Sequence, residues 1–346
     1  MKPLVLRSCE RGDDEKRNAD TTSDERSALI GPMTARLHQA FVARFGAEAI
    51  ESLRACAGSR DPSTRIVALG GEQLTGKSTL TKALGRALGG AACISAGSTM
   101  RALADARGLT VAQLCGELDA GTSSGGGGDG GAVDLELDFR TLQQLVGATA
   151  ATTMAQDDST GGAHPPPPAL VLEGRMPAVL ATYAADVLGH RAPVYRCYLR
   201  CDPGEVALRV AERELGAAAR AQMEGLLLLL PPPSPPVLGL REAAQRVRAA
   251  VRAGGAAAAA GEGEGAGRSW AACLELLEDT QDRDAHDEAR VEALYGVSYR
   301  DRAFYDDVVD TSSTTHDEKL QLVLEGMGRF FDDDSITSNI DEPATT

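Results

Sequence analysis

Lysine is scarce in this chain of 346 residues, with only Lys2, Lys16, Lys77, Lys82 and Lys319 present, so a lysine inside a phosphate-binding pattern is not there through abundance. Positive charge as a whole is short, because 35 Lys and Arg face 50 Asp and Glu for a formal net charge of −15. That sign excludes a chain whose main task is coating the phosphates of a nucleic acid polymer. Long apolar runs are missing as well. None reaches the ~18 residues that suggest a membrane span, and the longest leucine run, Leu226–Leu230, gives way to prolines. The seven cysteines (Cys9, Cys56, Cys93, Cys115, Cys197, Cys201 and Cys273) form an odd set without a C-x-x-C pair. Neither a disulfide framework nor a zinc site is expected, and a reducing compartment fits best. His38, His164, His190, His286 and His316 are isolated, with no metal-ligand spacing among them. The first residues carry Glu10, Asp13, Asp14 and Glu15 after a short apolar stretch, unlike a secretory or transit signal, so a cytoplasmic protein is expected.

What is present is enough apolar sequence, 43%, for one large or two ordinary domains, interrupted by clustered Gly and Pro. Residues 1–60 read as an N-terminal extension, a polar tail followed by one or two helices over 26–57. From 61 to 331 short apolar runs alternate with helical periodicity. Strands are predicted at Ile66–Leu69, Ala91–Ile94, Ala169–Leu172, Val194–Leu199 and Val308–Val309. Helices are predicted over Ser78–Leu88, Met100–Ala106, Leu109–Leu118, Leu135–Met154, Pro203–Glu214, Trp270–Leu294 and Asp317–Phe330. A Gly-rich linker at 119–133, a second linker at 156–168 and a low-complexity insertion at 215–268 interrupt this domain, and an acidic disordered tail closes it at 332–346. The alternation predicts a three-layer α/β/α fold around a parallel sheet.

Gly71-Glu72-Gln73-Leu74-Thr75-Gly76-Lys77-Ser78 satisfies G-x-x-x-x-G-K-[ST] and stands between a predicted strand and a predicted helix, where its mechanism requires it. Backbone N–H groups of such a loop converge on phosphate oxygens at a helix N-terminus, where orphan donors and the helix dipole favour anions. Gly71 to Thr79 would hold the phosphates of ATP, with Lys77 bridging the β- and γ-phosphates and the Ser78 hydroxyl on Mg²⁺. A strand-to-helix turn without a ligand is the competing reading. Leu74 takes a place where small-molecule kinases usually carry glycine, which predicts either crowding of the phosphates or an unfavourable backbone conformation.

Four further segments resemble the cytidylate kinase family, particularly its archaeal-type members, within the P-loop nucleoside monophosphate kinases. Ser95-Ala96-Gly97-Ser98-Thr99-Met100-Arg101 is similar to the family's S-[AT]-G-x-x-[FY]-R, with Met100 in the aromatic place. Asp134-Leu135-Glu136-Leu137-Asp138-Phe139-Arg140 is similar to its D-x-x-L-D-x-R helix, and Val171-Leu172-Glu173-Gly174-Arg175 to its V-L-E-G-R strand end. Arg283-Asp284-Ala285-His286-Asp287-Glu288-Ala289-Arg290 resembles the lid helix R-D-x-x-D-x-x-R. Its i, i+4, i+7 spacing places Arg283, Asp287 and Arg290 on one helical face. The resemblance implies transfer of the γ-phosphoryl group of MgATP to CMP or dCMP by a monomer. Ser95, Arg101, Arg140 and Arg175 would hold the acceptor, Arg283 and Arg290 would stabilise the migrating group, and Asp287 would orient an arginine or touch the acceptor sugar. Two rivals stand beside it. One is a related kinase acting on UMP, AMP or an alcohol. The other, motivated by Leu74, Ser98, Met100 and the insertions, is a nucleotide-binding regulatory protein without turnover.

Overall fold

Arg65–Gly71 forms β1, and its near-continuous apolar sequence has a structural reason: it is the middle strand of a sheet covered on both faces. The computed structural model describes residues 23–59, 61–116, 130–152, 169–228, 244, 245, 248, 249, 270–333 and 336. Five parallel strands run in the order β2-β3-β1-β4-β5, with β2 at Ala92–Ser95, β3 at Ala169–Glu173, β4 at Val194–Arg200 and β5 at Asp307–Asp310. Side chains alternate across this sheet. Ile66, Ala68, Leu170, Leu172 and Val194 enter one apolar cluster, while Val67, Leu69, Val171, Tyr195, Cys197 and Leu199 enter another.

The first cluster is roofed by α1 (Ser23–Phe45), α2 (Ala47–Gly58), α5 (Gly130–Thr152) and α6 (Pro177–Asp186). The second is closed by α3 (Lys77–Ala87) and α10 (His316–Phe331), through Leu80, Leu84, Val323, Leu324 and Met327. A helical layer therefore lies on each face, and the architecture is α/β with an all-parallel centre. Beyond the end of β4, α7 (Pro203–Leu215), α8 (Ala217–Leu228) and α9 (Trp270–Tyr295) enclose a third cluster that includes Val206, Val210, Met223, Cys273, Leu274 and Leu277. No helix among the described residues is long and apolar enough to cross a membrane.

Several elements differ from the sequence expectation, each for a physical reason. The N-terminal extension, by contrast, keeps to its expectation of one or two helices: it forms two, broken at Gly46 with φ +85°, and Met33, Leu37 and Phe41 are fully buried on the first cluster. Helix α4 (Ala96–Arg107) begins directly after β2 rather than at Met100, although Gly97 and Ser98 are weak helix formers. Helix α5 starts at Gly130, inside the predicted linker 119–133, because burying Val133 beside Leu103 and Leu114 outweighs the low propensity of the glycines. Helix α6 was not expected at all. It is buried from Pro177 to Ala184, and a helix apolar on every side shows no amphipathic period.

The segment 215–268, expected to be a low-complexity insertion, opens with the ordered helix α8, whose Ala219 and Met223 are buried in the third cluster. In the acidic tail, expected to be disordered, Asp333 pairs with Arg65 at 2.5 Å and Ile336 is buried under the sheet. The linker 156–168, residues 119–129 and the rest of the tail lie outside the described residues.

Candidate active site

The 71–78 loop leaves the carboxyl end of the central strand and opens α3, the position in an open α/β sheet where ligands collect. Gly71 turns the chain at φ +145°, and a Cβ there would stand 2.5 Å from the carbonyl oxygen of Leu199, so no larger residue fits. Leu74 is left-handed at φ +62°, which for a branched side chain costs about 1–2 kcal/mol. Of the two outcomes anticipated at this position, the backbone one is what the loop adopts. The Leu74 side chain packs against the α7–α8–α9 cluster while also lining the cavity beside the loop.

Within the loop, Thr75 Oγ1 donates to the Glu72 carbonyl at 2.9 Å, and Lys77 Nζ donates to the same oxygen. Desolvation pushes the Lys77 ammonium down to about 8, against the opposing pull of Glu173, Asp284 and Glu72. Ser78 Oγ donates to Glu173 Oε1 at 2.8 Å, and Glu173 is buried at the end of β3. Thr79 is exposed on α3.

A cavity of about 470 Å³ opens beside the loop, within the size range of small-molecule sites. Gln73, Leu74, Lys77, Ser78, Glu173 and Arg175 line the loop side, and Arg283, Asp287 and Arg290 line it from α9. Arg175 bridges to Asp284 at 3.1 Å, to Asp287, and to the Arg283 carbonyl at 3.3 Å. Arg290 pairs with Asp134 at 2.9 Å and with Asp287. Arg283 is exposed. The far wall holds Met100, Val111, Leu137 and Met176 together with Asp134 and Asp138. Tyr295 donates a 2.5 Å hydrogen bond to Asp138, and desolvation pushes the Asp138 carboxyl up to about 7.

Three residues anticipated around an acceptor stand apart from this cavity. Ser95 ends β2, and its carbonyl accepts from Ser98 at 2.6 Å and Thr99 at 3.2 Å. Arg101 is exposed on α4. Arg140 forms an ordinary i,i+4 pair with Glu136 at 2.7 Å, which also pairs with Arg107. None of the three lines the cavity. Conversely, Glu173, Asp284 and the Asp138–Tyr295 pair were not singled out as ligand-holding groups. A carboxylate closing a buried parallel strand is the signal that points to Glu173.

No group of three or more His, Cys, Asp or Glu side chains among the described residues is arranged to hold a metal by itself. Ser78 and Glu173 nevertheless make an oxygen pair suited to Mg²⁺, which commonly takes one or two protein oxygens and completes its shell with phosphate and water. No family model, curated protein or solved structure matches the chain.

Proposed function

We propose that the protein is a P-loop nucleoside monophosphate kinase that transfers the γ-phosphoryl group of MgATP to CMP or dCMP. The observation that carries this reading is the 71–78 loop with Lys77 facing α9, with its Arg283 and Arg290, across one cavity. Phosphoryl transfer needs positioning and charge neutralisation more than acid–base chemistry. The loop amides and Lys77 would bind the donor phosphates. Arg175, Arg283 and Arg290 would neutralise charge on the migrating group as the β,γ-bridging P–O bond breaks and a bond to an acceptor phosphate oxygen forms. Ser78 and Glu173 would hold Mg²⁺, which supplies further neutralisation of the donor phosphates.

The acceptor end has apolar walls and the Asp134 and Asp138 carboxyls. Asp134, ion-paired with Arg290, offers carboxylate oxygens that accept from the exocyclic amine of cytosine or adenine, whereas uracil presents a carbonyl there. This favours an amino-bearing base, and the sequence resemblance favours cytosine. The odd cysteine count without a C-x-x-C pair supports a cytosolic setting, and a monomer suffices for every group named.

ADP release from MgATP, with CMP, dCMP, UMP and AMP offered singly, tests the assignment in the wild type and Lys77→Ala. CMP-dependent release that the substitution abolishes is the expected result. MgATP binding without acceptor-dependent release would replace the enzyme with a nucleotide-binding regulator, a reading favoured by the internal pairing of Arg175 and Arg290.

A further inference from the structure

Three groups on the 71–78 loop that would meet a phosphate already have partners inside the chain. Lys77 Nζ is on the Glu72 carbonyl and Ser78 Oγ is on Glu173. The backbone N–H of Gln73 is directed at Asp284, whose two carboxylate oxygens both lie 3.4 Å from that nitrogen. Asp284 takes the Arg175 guanidinium as well, at 3.1 Å. It is 5% exposed, one of few charged side chains withdrawn from water in the described structure. Burying a carboxylate is costly unless charge and hydrogen bonds compensate. Here the compensation comes from a loop amide, an arginine and the neighbouring Lys77, the same kinds of partner that a phosphate oxygen recruits. Helix α9 has a second, apolar hold on the loop, because its Cys273, Leu274 and Leu277 belong to the cluster that receives Leu74.

We propose that Asp284 is an internal anion that occupies the 71–78 loop and competes with the phosphates of a nucleoside triphosphate for it. The proposal rests on the reading of that loop as the donor phosphate site. Two anions cannot share one desolvated nest of donors, so α9 withdraws its carboxylate when the nucleotide enters. Because Asp284 shares a rigid helix with Arg283, Asp287 and Arg290, its withdrawal also shifts the guanidinium groups that face the cavity. It also removes one of the two carboxylates that neutralise Arg175, so a phosphate would have only Asp287 to compete with for that guanidinium. Donor affinity is then lowered by the fraction of molecules in which Asp284 still fills the loop.

Calorimetric titration of the full chain with MgATP, and separately with inorganic tripolyphosphate, tests this in the wild type, Asp284→Asn, Asp279→Asn and Lys77→Ala. Asp284→Asn keeps the shape and removes the charge, and thermal unfolding reports whether it folds; Asp284→Ala is the second variant. Asp284→Asn is expected to bind both ligands at least about tenfold more tightly, because the competitor is gone. Asp279→Asn removes the same charge from an exposed position of the same helix, outside the cavity lining, and is expected to gain less than about threefold. Equal or weaker binding by both Asp284 variants overturns the proposal, as does an equal gain in Asp279→Asn, which would reduce the effect to general charge. In either case, loss of binding in Lys77→Ala leaves the loop reading standing. Binding by neither the wild type nor an Asp284 variant, or binding indifferent to Lys77→Ala, overturns the loop reading and this proposal together.

Discussion

Ser78 and Glu173 meet through a 2.8 Å hydrogen bond between residues 95 positions apart, one opening the helix after β1 and the other closing β3. The pairing follows from the sheet, because β1 and β3 are hydrogen-bonded neighbours with Leu69 opposite Glu173. Removing the carboxylate charge while keeping its shape tests the part proposed for it in holding Mg²⁺. Glu173→Gln is expected to lower kcat with MgATP by about 10²-fold, the usual size for a lost electrostatic contact at a transferring group. Steady-state ADP release measures it. Unchanged kcat at saturating Mg²⁺ would remove Glu173 from the cation site.

Leu74 inverts a normal ranking. At most positions glycine destabilises more than alanine, but at φ +62° alanine keeps the backbone cost and loses most of the side chain's packing. Leu74→Ala is expected to lose about 1–2 kcal/mol in urea unfolding. Leu74→Gly is expected to lose less than Leu74→Ala, since glycine relieves about 1 kcal/mol of left-handed strain. The opposite order would show that the loop carries no such strain.

Asp138 makes stability fall as pH rises. Its carboxyl is held at about 7 in the folded chain against 3.8 ordinarily, so between these values the folded state binds more protons than the unfolded one. The contribution is full below about 4 and lost through 7. Asp138→Asn, which still accepts from Tyr295, is therefore expected to raise Tm more at pH 8 than at pH 5. Differential scanning fluorimetry across pH checks the sign.

Lys77 runs the other way. Its ammonium is lowered to about 8, so the unfolded chain binds more protons between 8 and 10.5 and stability rises across that window. Affinity does the reverse, because only the charged ammonium attracts phosphate. MgATP binding by the free protein is expected to weaken as pH rises above about 8, and Lys77→Arg is expected to flatten that dependence. Calorimetry at pH 7 and 9 decides it.

The central strand, its glycine-rich turn and the following helix were legible because all three signals lie within residues 65–87 and do not depend on distant contacts. Helix α6 was illegible because its sequence has no polar face to set a period. The arginines expected around an acceptor divide: Arg175 lines the cavity, whereas Arg101 and Arg140 do not. Asp134 and Asp138 are one turn apart and both line the cavity, but Arg140 is two residues beyond Asp138, roughly 200° around the helix. A D-x-R spacing on a helix cannot present both side chains to one ligand. Arg283, Asp287 and Arg290 obey the helical spacing, and all three line the cavity. Asp284, in the same motif, does not stand out in the sequence because its partner, the Gln73 amide, is 211 residues away.

The packing of α1 sets a timetable for the chain as it is made. Phe41 is fully buried against Tyr183, with ring centroids 5.4 Å apart, and against Phe139 at 5.7 Å. During synthesis α1 leaves the ribosome long before Tyr183 exists, and at about 5–20 residues per second the wait is roughly 7–30 s. For that interval Met33, Leu37 and Phe41 have no sheet to cover, and the nascent helix offers an apolar stripe to holdases and to its neighbours on the polysome.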